Sequence, residues 1–135
     1  MQEGPIEYKD LCNDIANHLR ASMDRAIEAG LPPAKLIVDP GIGFGKTLEH
    51  NLILTRELYR FHELGTPVLY GPSRKRFLGS LTGKDAQDRD LATAAVVALG
   101  VEFGADIVRV HNPEITRDAV KVAGALAALR GSLLP

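Results

Sequence analysis

Residues 35–47 read KLIVDPGIGFGKT, a short apolar run that ends in a carboxylate and continues into a glycine-rich turn. The run at 35–39 is typical of a buried strand in a parallel sheet, because such strands are covered on both faces and are apolar throughout. Similar runs follow at 67–71 (PVLYG) and 105–111 (ADIVRVH). Helical patterns separate the three runs, and this alternation predicts right-handed crossovers and a parallel sheet.

The predicted order is α-β-α-β-α-β-α, an α/β fold with three parallel strands. Apolar spacing and glycine stops place helical segments at 7–29, 51–64, 73–79, 88–103 and 114–130, the last closed by Gly131. A closed eight-stranded barrel needs about 250 residues. A chain of 135 residues with three such units is therefore predicted to form the last part of a (β/α)8 TIM barrel.

Composition is ordinary for a soluble globular protein, with 45% apolar and 24% charged residues. A net charge of −1 provides no global field for nucleic acid or an anionic membrane, so neither is expected as a partner. The polar start MQEGPIEYKD (1–10) is no signal peptide, and ATAAVVALGV (92–101) is too short to span a bilayer. Cytoplasmic location is expected, with the single cysteine, Cys12, as a core residue.

The GKT at 45–47 resembles part of a nucleotide-binding loop, but the spacing is wrong. A Walker A loop requires a glycine five residues before its Gly-Lys pair. That place is held by Pro40, which has no N–H to offer a phosphate. The dinucleotide pattern fails as well, since its third glycine would be Lys46. Nucleotide binding is therefore a weak alternative.

Polar residues recur where each predicted strand ends: Asp39, then SRK at 73–75, then Arg109 and His111. Ligands bind at the carboxyl ends of parallel strands, so these side chains are expected to converge. Arg109 and His111 lie two apart and share a face, which suits a phosphate or diphosphate. The structural alternatives are a turn cap for Asp39 and an internal ion pair between Asp39 and Arg109.

Three motifs in order, LIVDPGIGFGKTLEHNL (36–52), PVLYGPSRKRFLG (67–79) and DIVRVH (106–111), resemble the C-terminal strand motifs of the dihydropteroate synthases. These folate-pathway enzymes form a pterin-binding TIM-barrel family. The resemblance implies that residues 1–135 are one C-terminal segment of such a domain, with its fifth helix and its last three βα units. A pterin-binding methyltransferase remains an alternative, although SRK and RVH favour the synthase.

The resemblance implies a role for each strand-end residue. Asp39, Lys75 and the backbone near Gly71 would bind the pterin. The p-aminobenzoate subsite would consist of Phe44, Ser73 and Arg74, with the carboxylate on Ser73 and the ring between Phe44 and Arg74. Arg109 and His111 would hold the departing diphosphate, and the catalytic residues would be Lys75, Arg109 and His111.

The implied reaction joins p-aminobenzoate to 6-hydroxymethyl-7,8-dihydropterin diphosphate and gives 7,8-dihydropteroate and diphosphate, a step that sulfonamides inhibit in this family. The resemblance implies Mg²⁺ bound mainly through the diphosphate, with its protein ligand in strands that this chain lacks. No metal motif is found in these 135 residues. Asn112 departs from the family, which usually has aspartate after the final histidine.

The missing strands would make activity of the chain alone uncertain. A homodimer, or self-association through the C-terminal helices, is expected from the resemblance. The competing hypothesis is a non-catalytic module that dimerises, or that complements a separate N-terminal chain.

Overall fold

The computed structural model describes residues 7–130. The helices and strands in chain order are α1 (Leu11–Glu28), α2 (Leu48–Arg56), β1 (Leu69–Tyr70), α3 (Arg76–Thr82), α4 (Asp90–Glu102), β2 (Ile107–Val108) and α5 (Pro113–Ala128). Short 3-10 segments lie at Pro33–Lys35, Leu58–Leu64 and Ala86–Asp88. The predicted helix at 51–64 is thus an α-helix that continues as a 3-10 segment, and Gly131 lies outside the described residues.

The sheet is smaller than predicted. Strands β1 and β2 pair in parallel, with Leu69 opposite Ile107, which confirms the parallel arrangement of the second and third runs. The predicted strand at 35–39 is wrong in extent, since Val38 forms only an isolated parallel bridge to Val68. Pro33–Lys35 forms a 3-10 turn instead, and Val38 is hydrogen-bonded only on its Val68 side in the described chain.

The core lies between the outer face of the strands and the helices. Val38, Val68 and Tyr70 are buried on this face. The Tyr70 hydroxyl lies 2.8 Å from Thr55 Oγ1 on α2, so this polar atom is satisfied inside the core. A Cβ atom on Gly100 of α4 would lie 2.5 Å from the Tyr70 ring. Glycine at position 100 therefore allows α4 to approach the sheet.

Cys12 is 3% exposed and belongs to the same core, which confirms the interpretation from sequence. Its Sγ donates to Glu57 Oε2 at 3.4 Å. Burial, with a smaller contribution from Glu57, raises the pKa of the Cys12 thiol to about 11. The thiol is therefore protonated near neutral pH and unreactive.

The inner face of the strands is open. Ile37 is 53% exposed and Ile107 is 36% exposed, so the prediction that these strands are buried on both faces is wrong for the chain by itself. The outer face is covered by α2 and α4, which contact the Tyr70 side chain. Ile37 and Ile107 on this open face each lie two residues before a polar strand-end residue, Asp39 and Arg109 respectively.

Helices α4 and α5 pack against each other and carry a second apolar surface. Leu99 of α4 and Val122 and Leu126 of α5 are each more than half exposed, and they line a groove between the two helices. None of the helices in residues 7–130 is long and apolar enough to cross a membrane.

Candidate active site at the strand ends

Asp39 follows the Val38 bridge and has two partners. Its Oδ1 accepts the Gly41 N–H at 2.8 Å, and its Oδ2 accepts a bond from Arg109 Nη2 at 3.4 Å. Both structural alternatives, the turn cap and the ion pair, are present. The Arg109 side chain is 62% exposed, and such an ion pair contributes little free energy. Arg109 can therefore leave Asp39 for a stronger anion.

Ser73 and His111 join the ends of the second and third runs. Ser73 Oγ lies 2.8 Å from His111 Nδ1 and also accepts the His111 backbone N–H at 3.0 Å. Ser73 is 6% exposed. Because a hydroxyl has one proton and two lone pairs, these bonds occupy most of its capacity. The structure thus gives Ser73 a partner other than the predicted carboxylate.

Arg74 contacts Asp90, the first residue of α4. Its guanidinium donates to both carboxylate oxygens of Asp90, at 2.9 and 3.1 Å. This pair, with a smaller contribution from Asn112, lowers the pKa of Asp90. The predicted contact of Arg74 with a substrate ring is therefore not the one that the structure shows. The signal that sequence reasoning missed is Asp90, an acid in the first turn of α4.

Lys75 lies over Phe44, with Nζ 4.1 Å from the ring centroid, a cation–π contact. Burial, and next the nearby Arg109 charge, lower the pKa of Lys75, while Asp39 opposes the shift. Gly43 has a φ of 93°, and a Cβ there would lie 3.0 Å from Lys75 Cδ. Glycine at position 43 gives both the turn and the space for the lysine.

The basic side chains surround a cavity of about 430 Å³, whose lining residues are Gly71, Ser73, Lys75, Arg109, Val110 and His111. A Cβ on Gly71 would lie 2.8 Å from Arg109 Nη2, so the glycine leaves room for the guanidinium. An ammonium, a guanidinium and an imidazole around one cavity suit an anion with several oxygens, such as a diphosphate. A neighbouring cavity of about 780 Å³ includes Asp39 and Phe44.

The glycine turn is held by residues that sequence reasoning did not assign. Lys46 Nζ donates to the carbonyls of Gly41 (2.7 Å) and Phe44 (3.1 Å). Asn51, which is 3% exposed, accepts the Gly43 N–H at 2.8 Å and donates to Thr47 O at 2.9 Å. Lys46 thus binds its own loop instead of a phosphate. An asparagine near a helix start is common, so only the structure identifies this role of Asn51.

We predict that the chain binds neither ATP nor GTP, and that Lys46→Ala lowers the free energy of unfolding by about 1–2 kcal/mol through the lost charged hydrogen bonds. Equilibrium dialysis with labelled ATP and urea unfolding are the measurements. Lys84→Ala, on an exposed loop residue, is the control and should be neutral. Saturable ATP binding that Lys46→Ala abolishes would overturn this interpretation of the loop.

The described residues offer few ligands for the Mg²⁺ ion that the family resemblance implies. No group of three or more His, Cys, Asp or Glu side chains in residues 7–130 could hold a metal ion. Asp39, the carboxylate nearest the basic cavity, is already bonded to Gly41 and Arg109. The described residues therefore do not form a protein cage for Mg²⁺.

Parallel strands with helices on their outer face, and a basic cavity at the carboxyl ends, are typical of α/β proteins of the barrel class. The chain belongs to the pterin binding enzyme family, whose sequence pattern matches residues 1–111. This match confirms the family that the three motifs indicated.

Two similar sequences and one structure illustrate the relationship. The dihydropteroate synthase of Mycobacterium leprae is 43% identical over 91% of this chain and 46% of its own. A mitochondrial folate synthesis bifunctional protein of Arabidopsis thaliana is 41% identical over 94% of this chain and 25% of its own. The Yersinia pestis dihydropteroate synthase, solved with a sulfonamide drug complex, superposes with a TM-score of 0.90 at 35% identity.

The superposition covers 96% of this chain and 47% of the Yersinia pestis protein. The chain thus spans about half the length of the bacterial relatives and about a quarter of the plant protein. The α/β class and its relation to these barrel enzymes are confirmed.

Proposed function

We propose that the chain supplies the carboxyl-end half of a dihydropteroate synthase active site. The reaction is the condensation of 6-hydroxymethyl-7,8-dihydropterin diphosphate with p-aminobenzoate. The observation that supports it most is the cavity shared by Lys75, Arg109 and His111. It adjoins Asp39 and Phe44 in a chain whose relatives are named dihydropteroate synthases.

Asp39 and Lys75 are the proposed pterin contacts, with the backbone near Gly71. A carboxylate accepts two adjacent N–H groups, which is what an amino-pyrimidine edge presents. Asp39 is half-buried and its only charged partner in the described chain is the exposed Arg109. Binding would therefore replace a weak ion pair with hydrogen bonds to the ligand, and it would release Arg109 toward the diphosphate.

The chemical step needs no strong base, because an aromatic amine is already nucleophilic. The amine nitrogen attacks the methylene carbon, the C–O bond to diphosphate breaks, and the bond pair leaves with the diphosphate oxygen, while the proton released from the amine nitrogen passes to solvent. Negative charge therefore develops on that oxygen in the transition state. Arg109, His111 and Lys75 would stabilise it, since preorganised hydrogen-bond donors and cations supply much of a rate enhancement. Ser73 bonds to His111 at the ring Nδ1 and at the backbone N–H, which orients the ring.

The p-aminobenzoate subsite is proposed at Phe44 and Lys75, where an exposed aromatic ring lies beside an ammonium. The Ser73 and Arg74 contributions are proposed to be indirect, through His111 and Asp90 respectively. The Yersinia pestis relative was solved with a sulfonamide drug complex. We extend this to the present chain and propose that sulfonamides compete with p-aminobenzoate at the same subsite.

Magnesium would arrive with the diphosphate, whose oxygens are the hard ligands that this ion prefers. Its charge would add to the neutralisation of the leaving group. The proposal assigns no residue of this chain as a metal ligand.

A second candidate function is complementation or dimerisation without catalysis, and the open inner face favours it. Ile37 and Ile107 expose apolar surface beside strands that lack further neighbours in the described chain, and such edges pair readily with other chains.

The α4–α5 groove is the proposed homodimer surface. Light scattering of Val122→Asp tests it, and an unchanged mass relative to a dimeric wild type would contradict it. We propose a cytoplasmic location, as expected from the sequence, although the similar Arabidopsis thaliana protein is named as mitochondrial.

We predict that the chain binds inorganic diphosphate, and that His111→Ala weakens binding roughly tenfold or more, the cost of one charge-assisted contact. Isothermal titration calorimetry at low salt is the measurement. Arg56→Ala, on an exposed residue at the end of α2, is the matched control and should leave affinity unchanged. Equal affinities for the wild type and His111→Ala would exclude the proposed diphosphate site.

A further inference from the structure

Asn112 has two separate tasks at the beginning of α5. Its Oδ1 accepts the Ile115 N–H at 3.3 Å, which caps the helix. Its Nδ2 donates to Asp90 Oδ2 at 3.2 Å. A cap requires only the oxygen, and serine or aspartate would serve equally well. The amide N–H bond to Asp90 is therefore an additional interaction that few capping residues could provide.

Asp90 links two strand ends. Its carboxylate receives Arg74 from the turn after β1 and Asn112 from the position after His111. Arg74 has a φ of 58°, which is uncommon for a residue with a side chain. Contacts with α4 stabilise this conformation: the Arg74 N–H donates to Thr93 Oγ1 at 3.1 Å, and Arg89 Nη1 donates to Arg74 O at 2.9 Å.

The same turn carries both neighbours of Arg74 into the basic cavity. Ser73 contacts His111, and Lys75 lines the same cavity as Arg109. The Ser73–His111 contact and the Arg74–Asp90–Asn112 chain are thus two parallel connections between the turn and the end of β2. Only the second passes through a charged group outside the cavity.

We propose that Asn112 is a positioning residue for the anion site: its side-chain N–H, bonded to Asp90, fixes His111 relative to the turn that carries Lys75. The identity of the anion rests on the proposed function, but the positioning role does not. A carboxylate at position 112, which is the usual residue in the family, would offer Asp90 no donor and would place two acceptors of like charge 3.2 Å apart. The bond to Asp90 is therefore particular to a chain with asparagine at this position. The neutral amide allows Asp90 to remain ionised and bonded on both sides.

The test compares Asn112→Ser and Asn112→Asp with the wild type in the 135-residue chain. Both variants retain a capping oxygen and lose the N–H donor, and the aspartate also adds charge. Asp10→Ser is the matched control, because Asp10 caps α1 and accepts from the side chain of Asn13 far along the sequence from the site. The readouts are the His111 imidazole ¹H–¹⁵N resonances without ligand and the affinity for inorganic diphosphate.

We expect both Asn112 variants to shift the His111 resonances, whereas Asp10→Ser does not. Asn112→Ser should weaken diphosphate binding roughly tenfold, the ratio for one lost hydrogen bond to a charged group, and Asn112→Asp should weaken it further. Unchanged resonances with unchanged affinity would show that Asn112 is a cap alone, and would overturn the proposal. If Asn112→Asp does not fold, the result for Asn112→Ser alone tests the positioning role of Asn112.

The two proposals fail separately. A wild type that binds no diphosphate, with His111 resonances that still shift in Asn112→Ser, would refute the proposed function and support the positioning role. A wild type that binds diphosphate, with no change in either readout for Asn112→Ser, would support the diphosphate site and refute the positioning role of Asn112.

Discussion

Replacing Arg109 with alanine should lower turnover roughly 100-fold when the chain is combined with an amino-terminal half that completes the barrel, while the affinity for p-aminobenzoate changes little. Arg109 lines the basic cavity with Lys75 and His111, and its only charged partner in the described residues is Asp39. A cation that acts on the leaving diphosphate contributes more to the transition state than to binding of the amine substrate. Steady-state kinetics with both substrates varied separate the two effects.

Arg109→Lys is the conservative variant for that experiment. It keeps the charge but loses the bidentate geometry, so we expect an intermediate turnover. Arg56→Ala, far from the cavity along α2, should be indistinguishable from the wild type. An unchanged kcat in Arg109→Ala would show that this residue does not act on the leaving group.

Replacing Gly100 with alanine should destabilise the fold by about 2–3 kcal/mol, as overpacking in a rigid core does. The new Cβ would lie 2.5 Å from Cδ1 and Cε1 of the Tyr70 ring. That ring is fully buried, and its hydroxyl is bonded to Thr55, so it cannot move aside easily. Urea unfolding followed by circular dichroism gives the free energy.

Gly124→Ala in α5 is the matched control, because nothing lies within 4 Å of a Cβ built at Gly124. Alanine is favoured over glycine in a helix by about 1 kcal/mol, so this variant should be neutral or slightly stabilising. If Gly100→Ala proved as stable as Gly124→Ala, α4 would not pack on Tyr70 as described.

The amino-acid pattern was sufficient to predict the helices and the parallel pairing of the second and third runs, because apolar periodicity and glycine stops are local signals. The prediction of a strand at 35–39 was wrong in extent for a reason that is not local. Residues 35–39 are as apolar as the others, but an extended strand needs neighbours, and Val38 has one bridge. The exposure of Ile37 and Ile107 has the same cause.

The candidate site was likewise predictable from the sequence only in part. The convergence of Asp39, Lys75, Arg109 and His111 followed from their places at strand ends, and the structure brings them together. The partners of Ser73 and Arg74 could not be predicted, since they depend on side-chain direction. The positive φ of Arg74 points its guanidinium toward Asp90, and no spacing rule indicates this. Asn51 and Lys46 were missed for the same reason.

If this chain carries the carboxyl-end half of a dihydropteroate synthase site, a matching amino-terminal half should restore activity. The measurement is the formation of labelled dihydropteroate from p-aminobenzoate and dihydropterin diphosphate with Mg²⁺. It compares the 135-residue chain alone with the chain mixed with the amino-terminal half of the Mycobacterium leprae relative. Light scattering of the mixture establishes whether a complex has formed.

We predict no measurable product from the chain alone, because the pterin and p-aminobenzoate would be held on one side only and each lost buried contact costs about 1–3 kcal/mol. Product should appear in the mixture and should disappear with Arg109→Ala. Ordinary turnover by the chain alone would contradict the half-site account. A stable complex that forms no dihydropteroate would contradict the proposed activity.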